Sequence, residues 1–270
     1  MTKTLGVIAV LLAAVPSHAG NIKLGGVSLN PYYGVEARYE DNIYRVPRDI
    51  NNHAVGGGGV RGSWIMSNNL GLKLEAPIGE MHKVKAMYDV TFENYKVQPK
   101  ANNAINQKAD LGYEFKGSKL SAKLSNKYVN TQDPAFNPNG TVVNGDLVRR
   151  ERRWQNTAAG EAEYTLADKF FAGVDAQTDR KQYLNRSGGT ASLANTLNTS
   201  EVTFGAKAGY KVAPKTKVFM AVHRTLLHYT EETRQDNHRD WDFDFGVEGK
   251  LAPKLKGLVQ AGFNYVQFDK

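Results

Sequence analysis

Residues Leu70 to Tyr95 alternate apolar and polar side chains through two consecutive runs, and that period of two decides what the chain can fold into. Leu70, Leu72, Leu74, Ala76 and Ile78 interleave with Gly71, Lys73, Glu75 and Pro77. After Gly79-Glu80-Met81-His82-Lys83, Val84, Ala86, Tyr88, Val90 and Phe92 interleave with Lys85, Met87, Asp89 and Thr91. A helix would repeat near 3.6, so each run is an extended strand with one apolar and one charged face. The short polar break forces the two strands into an antiparallel hairpin.

The same unit recurs along the chain. Val27–Tyr39 alternates as a first strand, and further paired runs surround residues 116–119, 167–169, 213–216 and 252–256. Three of these turns repeat in sequence: Leu166-Ala167-Asp168-Lys169, Val212-Ala213-Pro214-Lys215 and Leu251-Ala252-Pro253-Lys254. One supersecondary unit per period predicts an array of β-hairpins. Ser67-Asn68-Asn69 interrupts one long run and reads either as a bulge or as a turn, so the count is about 11–12 strands. The breaks between hairpins (40–53, 96–106, 130–152, 184–199 and 230–239) are longer and polar, against short turns within them. Short turns on one rim and long loops on the other is the layout of an outer-membrane barrel.

Export is the second constraint. A basic start, an apolar run from Leu5 to Val15 and small residues up to Ala19 form a secretory leader, with cleavage expected between Ala19 and Gly20. Residues 1–19 are thus read as signal peptide and 20–270 as one barrel domain. The chain has no cysteine, which removes disulfides, thiol catalysis and cysteine-bound metals together. Its net charge of +8 suits lipid head groups and polysaccharides, the anions an exported protein meets, rather than nucleic acid.

Period two does not by itself say whether the apolar face points into a core or into lipid. Aromatic residues near strand ends on that face (Tyr39, Trp64, Phe92, Tyr113, Phe115, Tyr164, Phe170, Tyr210, Trp241, Phe243) match interfacial girdles. The opposite face is charged along its length with both signs, as a lumen would be. The expected lumen-facing residues are Lys73, Glu75, Lys85, Asp89, Lys108, Asp110, Glu114, Glu161, Glu163, Asp175, Asp242, Asp244 and Glu248, with Lys123, Lys207 and Lys211 among them. The expected fold is therefore all-β, an antiparallel up-and-down transmembrane β-barrel of repeated hairpins. A secreted two-sheet sandwich is the alternative, with shorter strands and similar rims.

On Tyr39-Glu40-Asp41-Asn42-Ile43-Tyr44-Arg45 and the hairpin turn Pro77-Ile78-Gly79-Glu80-Met81-His82, the chain resembles the outer-membrane β-barrel (porin-like) families of Gram-negative bacteria. The resemblance implies an outer-membrane location, sometimes association with exopolysaccharide export, and no catalytic residues. It implies contact with outer-membrane lipid, lipopolysaccharide and the barrel-assembly machinery. Barrels of this class usually end on an aromatic residue and an even strand number, whereas this chain ends Phe268-Asp269-Lys270. A missing closing strand at the C-terminus is the expectation drawn from that departure.

The functional expectation is a porin-like channel for small hydrophilic solutes or saccharide, not an enzyme, without cofactor, metal or nucleic-acid partner. Arg149, Arg150, Arg152 and Arg153 at the end of the longest loop are candidate contacts for phosphate or carboxylate groups, which guanidinium pairs bidentately. Two alternatives remain: a rim site in which Asp236, His238 and His228 converge for acid–base chemistry, and a closed structural or adhesive barrel.

Overall fold

Each alternating run becomes one strand. The computed structural model describes residues 17–18, 20–43, 62–134, 150–184, 198–230, 237–252 and 255–268. Two short strands, β1 (Ser17–His18) and β2 (Ile22–Leu24), precede eleven long ones. These are β3 (Val27–Glu40), β4 (Ser63–Ile78), β5 (His82–Tyr95), β6 (Ala104–Lys116), β7 (Leu120–Pro134) and β8 (Arg150–Ala167). They continue as β9 (Phe170–Leu184), β10 (Thr199–Ala213), β11 (Thr216–Tyr229), β12 (His238–Ala252) and β13 (Leu255–Phe268). From β3 onward every strand pairs antiparallel with the next, giving one up-and-down sheet. Both β1 and β2 pair with β3, and the path is open: among the described residues β13 has no partner beyond β12.

Ser67-Asn68-Asn69 is neither a bulge nor a turn. β4 runs through it in unbroken register with β3 and β5. The register shifts fall elsewhere, at Thr165/Ala167, Lys211/Ala213 and Lys250/Ala252. In each of the three repeated turn sequences the extra residue is the leading apolar one, Leu166, Val212 or Leu251. The repeat thus encodes a strand end that bulges just before it turns, which bends the strand and tightens its twist.

The sheet is curved, with its charged face concave. Flat strands spaced about 4.8 Å apart would set β6 and β13 roughly 34 Å from each other. Instead, residues from β6 through to β13 line one cavity of about 510 Å³. Glu163 on β8 and Lys217 on β11 also meet across two intervening strands, at 2.9 Å. Glycines on this face let aromatic rings lie flat on a neighbouring strand. A Cβ at Gly71 would overlap the Tyr32 ring, one at Gly209 would sit 2.5 Å from Phe171, and one at Gly246 would sit 2.7 Å from Phe219. Phe171 is only 1% exposed although it alternates with the charged residues.

The convex face is apolar and uncovered. Leu70, Leu72, Leu111, Leu124, Val174, Phe204, Met220, Phe245 and Phe263 are all exposed there. Two aromatic rows bound the band. Tyr39 packs on Trp64 and Trp241 stacks on Phe243 toward the long-loop rim. Phe170 meets Tyr210 edge-on, and His82 lies against Tyr113 and Phe115, toward the short-turn rim.

At the long-loop rim, residues 96–103 fold back over the concave face around one helical turn, α1 (Pro99–Asn102). Val97 N–H donates to Ser63 Oγ, Tyr95 N–H donates to Asn103 Oδ1 and Asn102 Nδ2 donates to the Val97 carbonyl. Ile65 and Tyr95 are buried beneath this cover, and Asn102 is buried within it. The sequence had shown only a polar loop here.

Candidate functional site

Strand alternation and register place all sixteen expected lumen-facing residues on the one concave face. They form three groups along the sheet. Near the N-terminal edge, Asp89 is 8% exposed and accepts hydrogen bonds from Tyr32 Oη at 2.7 Å and from Asn69 Nδ2 at 2.8 and 2.7 Å to its two oxygens. Arg38 reaches Glu93 at 2.6 Å, and Asn106 donates to the other Glu93 oxygen at 3.1 Å. Both carboxylates are held by more than one donor, which offsets the cost of removing them from water.

The central group is a ladder of cross-strand ion pairs. Lys83 pairs with Glu75, Lys85 with Glu114 at 2.7 Å, and Lys123 with Glu161 at 2.5 Å. Lys108, Asp110 and Lys73 share the same face, and the Lys73 ammonium lies 5.1 Å from the Tyr32 ring centroid.

The third group surrounds the two buried phenylalanines. Glu163 accepts from Lys217 at 2.9 Å and lies 3.3 Å from Lys207, while Lys217 also lies 3.5 Å from Glu248 and 4.9 Å from the Phe171 ring centroid. His223 stands between Asp175 at 3.4 Å and Asp244 at 4.0 Å. Asn264 donates to Asp242 at 2.5 Å. One carboxylate serving two ammoniums makes Glu163 the node of this group. Glu163→Gln leaves Lys217 with Glu248 as its counter-charge and takes from Lys207 its Glu163 partner, and is expected to destabilise the fold by about 1–3 kcal/mol. The midpoint of urea unfolding checks it.

Sequence reasoning missed Lys217, Arg38, Glu93 and the two phenylalanines. Arg38, Glu93 and Lys217 do alternate with apolar residues in the sequence. Phe171 and Phe219 carry a subtler signal, an aromatic residue of polar-face parity opposite a glycine on the next strand.

Two expected constellations do not form as read. His228 and His238 lie on opposite faces, because Leu227, not His228, stands opposite His238. They cannot converge, and Asp236 lies outside the described residues. His238 instead sits 3.6 Å from Asp240 on the concave face. Among the described residues no group of three or more His, Asp or Glu could hold a metal ion.

The run of arginines is not one clamp either. Arg149 lies outside the described residues, and Arg150 already belongs to β8 opposite Pro134. Arg152 and Arg153 then alternate to opposite faces, where Arg152 donates to the Ile105 carbonyl at 3.3 Å and Arg153 to Gln155 at 3.1 Å. Of the expected cleavage junction, Ala19 lies outside the described residues and Gly20 is exposed.

No protein-family model matches this chain, and no curated protein matches it.

Proposed function

We propose that the chain, once its leader is removed after Ala19, is an outer-membrane β-barrel whose concave charged face lines a lumen for small hydrophilic solutes or saccharides. The observation that carries this reading is the convex face, a continuous exposed apolar band bounded by two aromatic rows. A soluble monomer rarely exposes an apolar surface of that extent, whereas lipid covers it without cost. The long strands add weight, because a tilted strand needs only about 9–11 residues to cross the hydrocarbon.

The lumen would be weakly selective. Five carboxylates (Glu114, Glu161, Asp175, Asp244 and Glu248) face three ammoniums (Lys123, Lys207 and Lys217) around the central cavity. Opposite signs interleave and largely cancel, leaving a slight excess of acid. The purified protein in a planar bilayer is expected to give discrete conductance steps with a mild cation preference by reversal potential. Strong anion selectivity would contradict this. A second reading is favoured by the packing of Phe171 and Phe219 among the ion pairs: a barrel filled by its own side chains. It predicts no conductance while heat-modifiable gel migration persists.

A further inference from the structure

The strand lysines lie on one face, whereas the strand arginines are divided, with Arg38 and Arg153 on the concave face and others on the convex one. By register, the strand lysines share the concave face, among them Lys73, Lys108, Lys123, Lys181, Lys207 and Lys217. The convex face carries arginine instead: Arg152, Arg180, Arg224 and Arg239, all toward the long-loop rim of β8, β9, β11 and β12. No Asp or Glu within β3 to β13 alternates onto that face among the described residues.

Two of these arginines sit beside tryptophans. The Arg180 guanidinium lies 6.0 Å from the Trp154 ring centroid, and that of Arg224 lies 4.9 Å from Trp241. Among the described residues Arg180 has no carboxylate partner, and the buried Nε of Arg224 has no acceptor. The acid next to Arg180 in sequence, Asp179, is turned to the other face, where Gln155 donates to it at 2.7 Å and Thr157 at 2.5 Å.

Around Arg180 lies a groove of about 510 Å³, lined by Tyr128, Trp154, Asn156, Thr178, Asp179, Arg180 and Ser200. It offers one guanidinium, three hydroxyls and an amide, while the one acid of its lining, Asp179, has its carboxylate held by Gln155 and Thr157 on the opposite face. Val202 lies at its edge, and Val174 and Phe204 continue the exposed apolar band toward the short-turn rim. A cationic, hydroxyl-rich groove at the aromatic row, opening onto apolar surface, suits an amphiphile with an anionic head. A planar guanidinium stacked on an indole takes phosphate oxygens bidentately and loses less hydration than an ammonium would.

We propose that this groove is a binding site for a phosphorylated lipid. Arg180, braced on Trp154, holds the phosphate, Asn156 and Ser200 hydrogen-bond the head group, and the acyl chains run over Val202 and Val174. The proposal rests on the convex face being the lipid-facing one.

The test uses the full chain refolded into phosphatidylcholine vesicles, then extracted in maltoside detergent and examined by native mass spectrometry with added lipid. The probes are diphosphorylated lipid A, its dephosphorylated counterpart and inorganic phosphate. Wild type should retain the phosphorylated lipid and not the dephosphorylated one. Arg180→Gln should weaken retention at least about tenfold, the loss expected for a charge-assisted hydrogen bond. Arg180→Lys should bind with intermediate strength, and Lys181→Gln, on the opposite face, as wild type. Heat-modifiable migration checks that each variant folds. Equal retention by wild type and Arg180→Gln overturns the proposal, as does equal retention of both lipids. Displacement by millimolar inorganic phosphate overturns it too, in favour of a free-phosphate site. If wild type does not float with the vesicles at all, the barrel reading falls and this one with it; floating without phosphate preference sinks only the lipid site.

Discussion

On the proposed outer-membrane reading, Leu111→Arg is expected to destabilise the protein in lipid by about 2–4 kcal/mol, the cost of an arginine on a lipid face near the bilayer midplane. Leu111 is 56% exposed near the middle of β6, and by alternation it faces away from the ion-pair ladder. In water the same change would be nearly silent, since exposed substitutions usually stay within about 0.5 kcal/mol. The size of the effect therefore reports the solvent that Leu111 meets. Asp110→Asn, one residue away on the concave face, is the matched control and should cost far less than the arginine. Reversible urea unfolding of both variants in lipid vesicles gives the comparison.

Gly71→Ala is expected to cost about 2–4 kcal/mol for the addition of a single methyl group. The new Cβ would overlap the Tyr32 ring, which lies flat across the glycine from the neighbouring strand. Overpacking alone costs about 1–3 kcal/mol. Displacing the ring would also break the 2.7 Å hydrogen bond from Tyr32 Oη to Asp89, a nearly buried carboxylate. A hydrogen bond to a charged group contributes about 1.5–3 kcal/mol, but Asn69 still donates to both Asp89 oxygens, so only part of that is lost and the total stays near 2–4 kcal/mol. Because the close atoms all belong to Tyr32, Tyr32→Ala should remove most of the penalty. A double-mutant cycle on unfolding free energies is expected to give a coupling of about 1–3 kcal/mol between the two positions.

Which residues share a face was legible in the sequence, because the period of two survives every strand. The hairpin from Leu70 to Tyr95 shows this: each predicted lumen position falls on the concave face. Ser67-Asn68-Asn69 was not legible, because these residue types favour turns wherever their side chains bond their own backbone. Here they bond across strands instead. Asn68 accepts from Tyr33 Oη at 2.9 Å, and Asn69 donates to Asp89 and Thr91. Pairing was beyond the sequence for a related reason. That Glu163 meets Lys217 three strands away depends on register and curvature, and neither leaves a local pattern. The separation of His228 from His238 likewise depends on the register between β11 and β12, which sets Leu227 opposite His238. Arg152 and Arg153 show the converse: once Arg150–Arg153 are strand rather than loop, alternation alone divides them.

Since the chain has no cysteine, single cysteines introduced at adjacent positions can report each face without background. Leu111→Cys and Asp110→Cys, each carrying an environment-sensitive fluorophore, should be compared in vesicles whose acyl chains bear brominated quenchers. The label at position 111 is expected to emit to the blue and to be strongly quenched by the brominated chains. The label at 110 should emit to the red and escape that quenching. Equal aqueous exposure at both positions, or lipid quenching at 110 in place of 111, would contradict an apolar face turned toward lipid and a charged face turned inward.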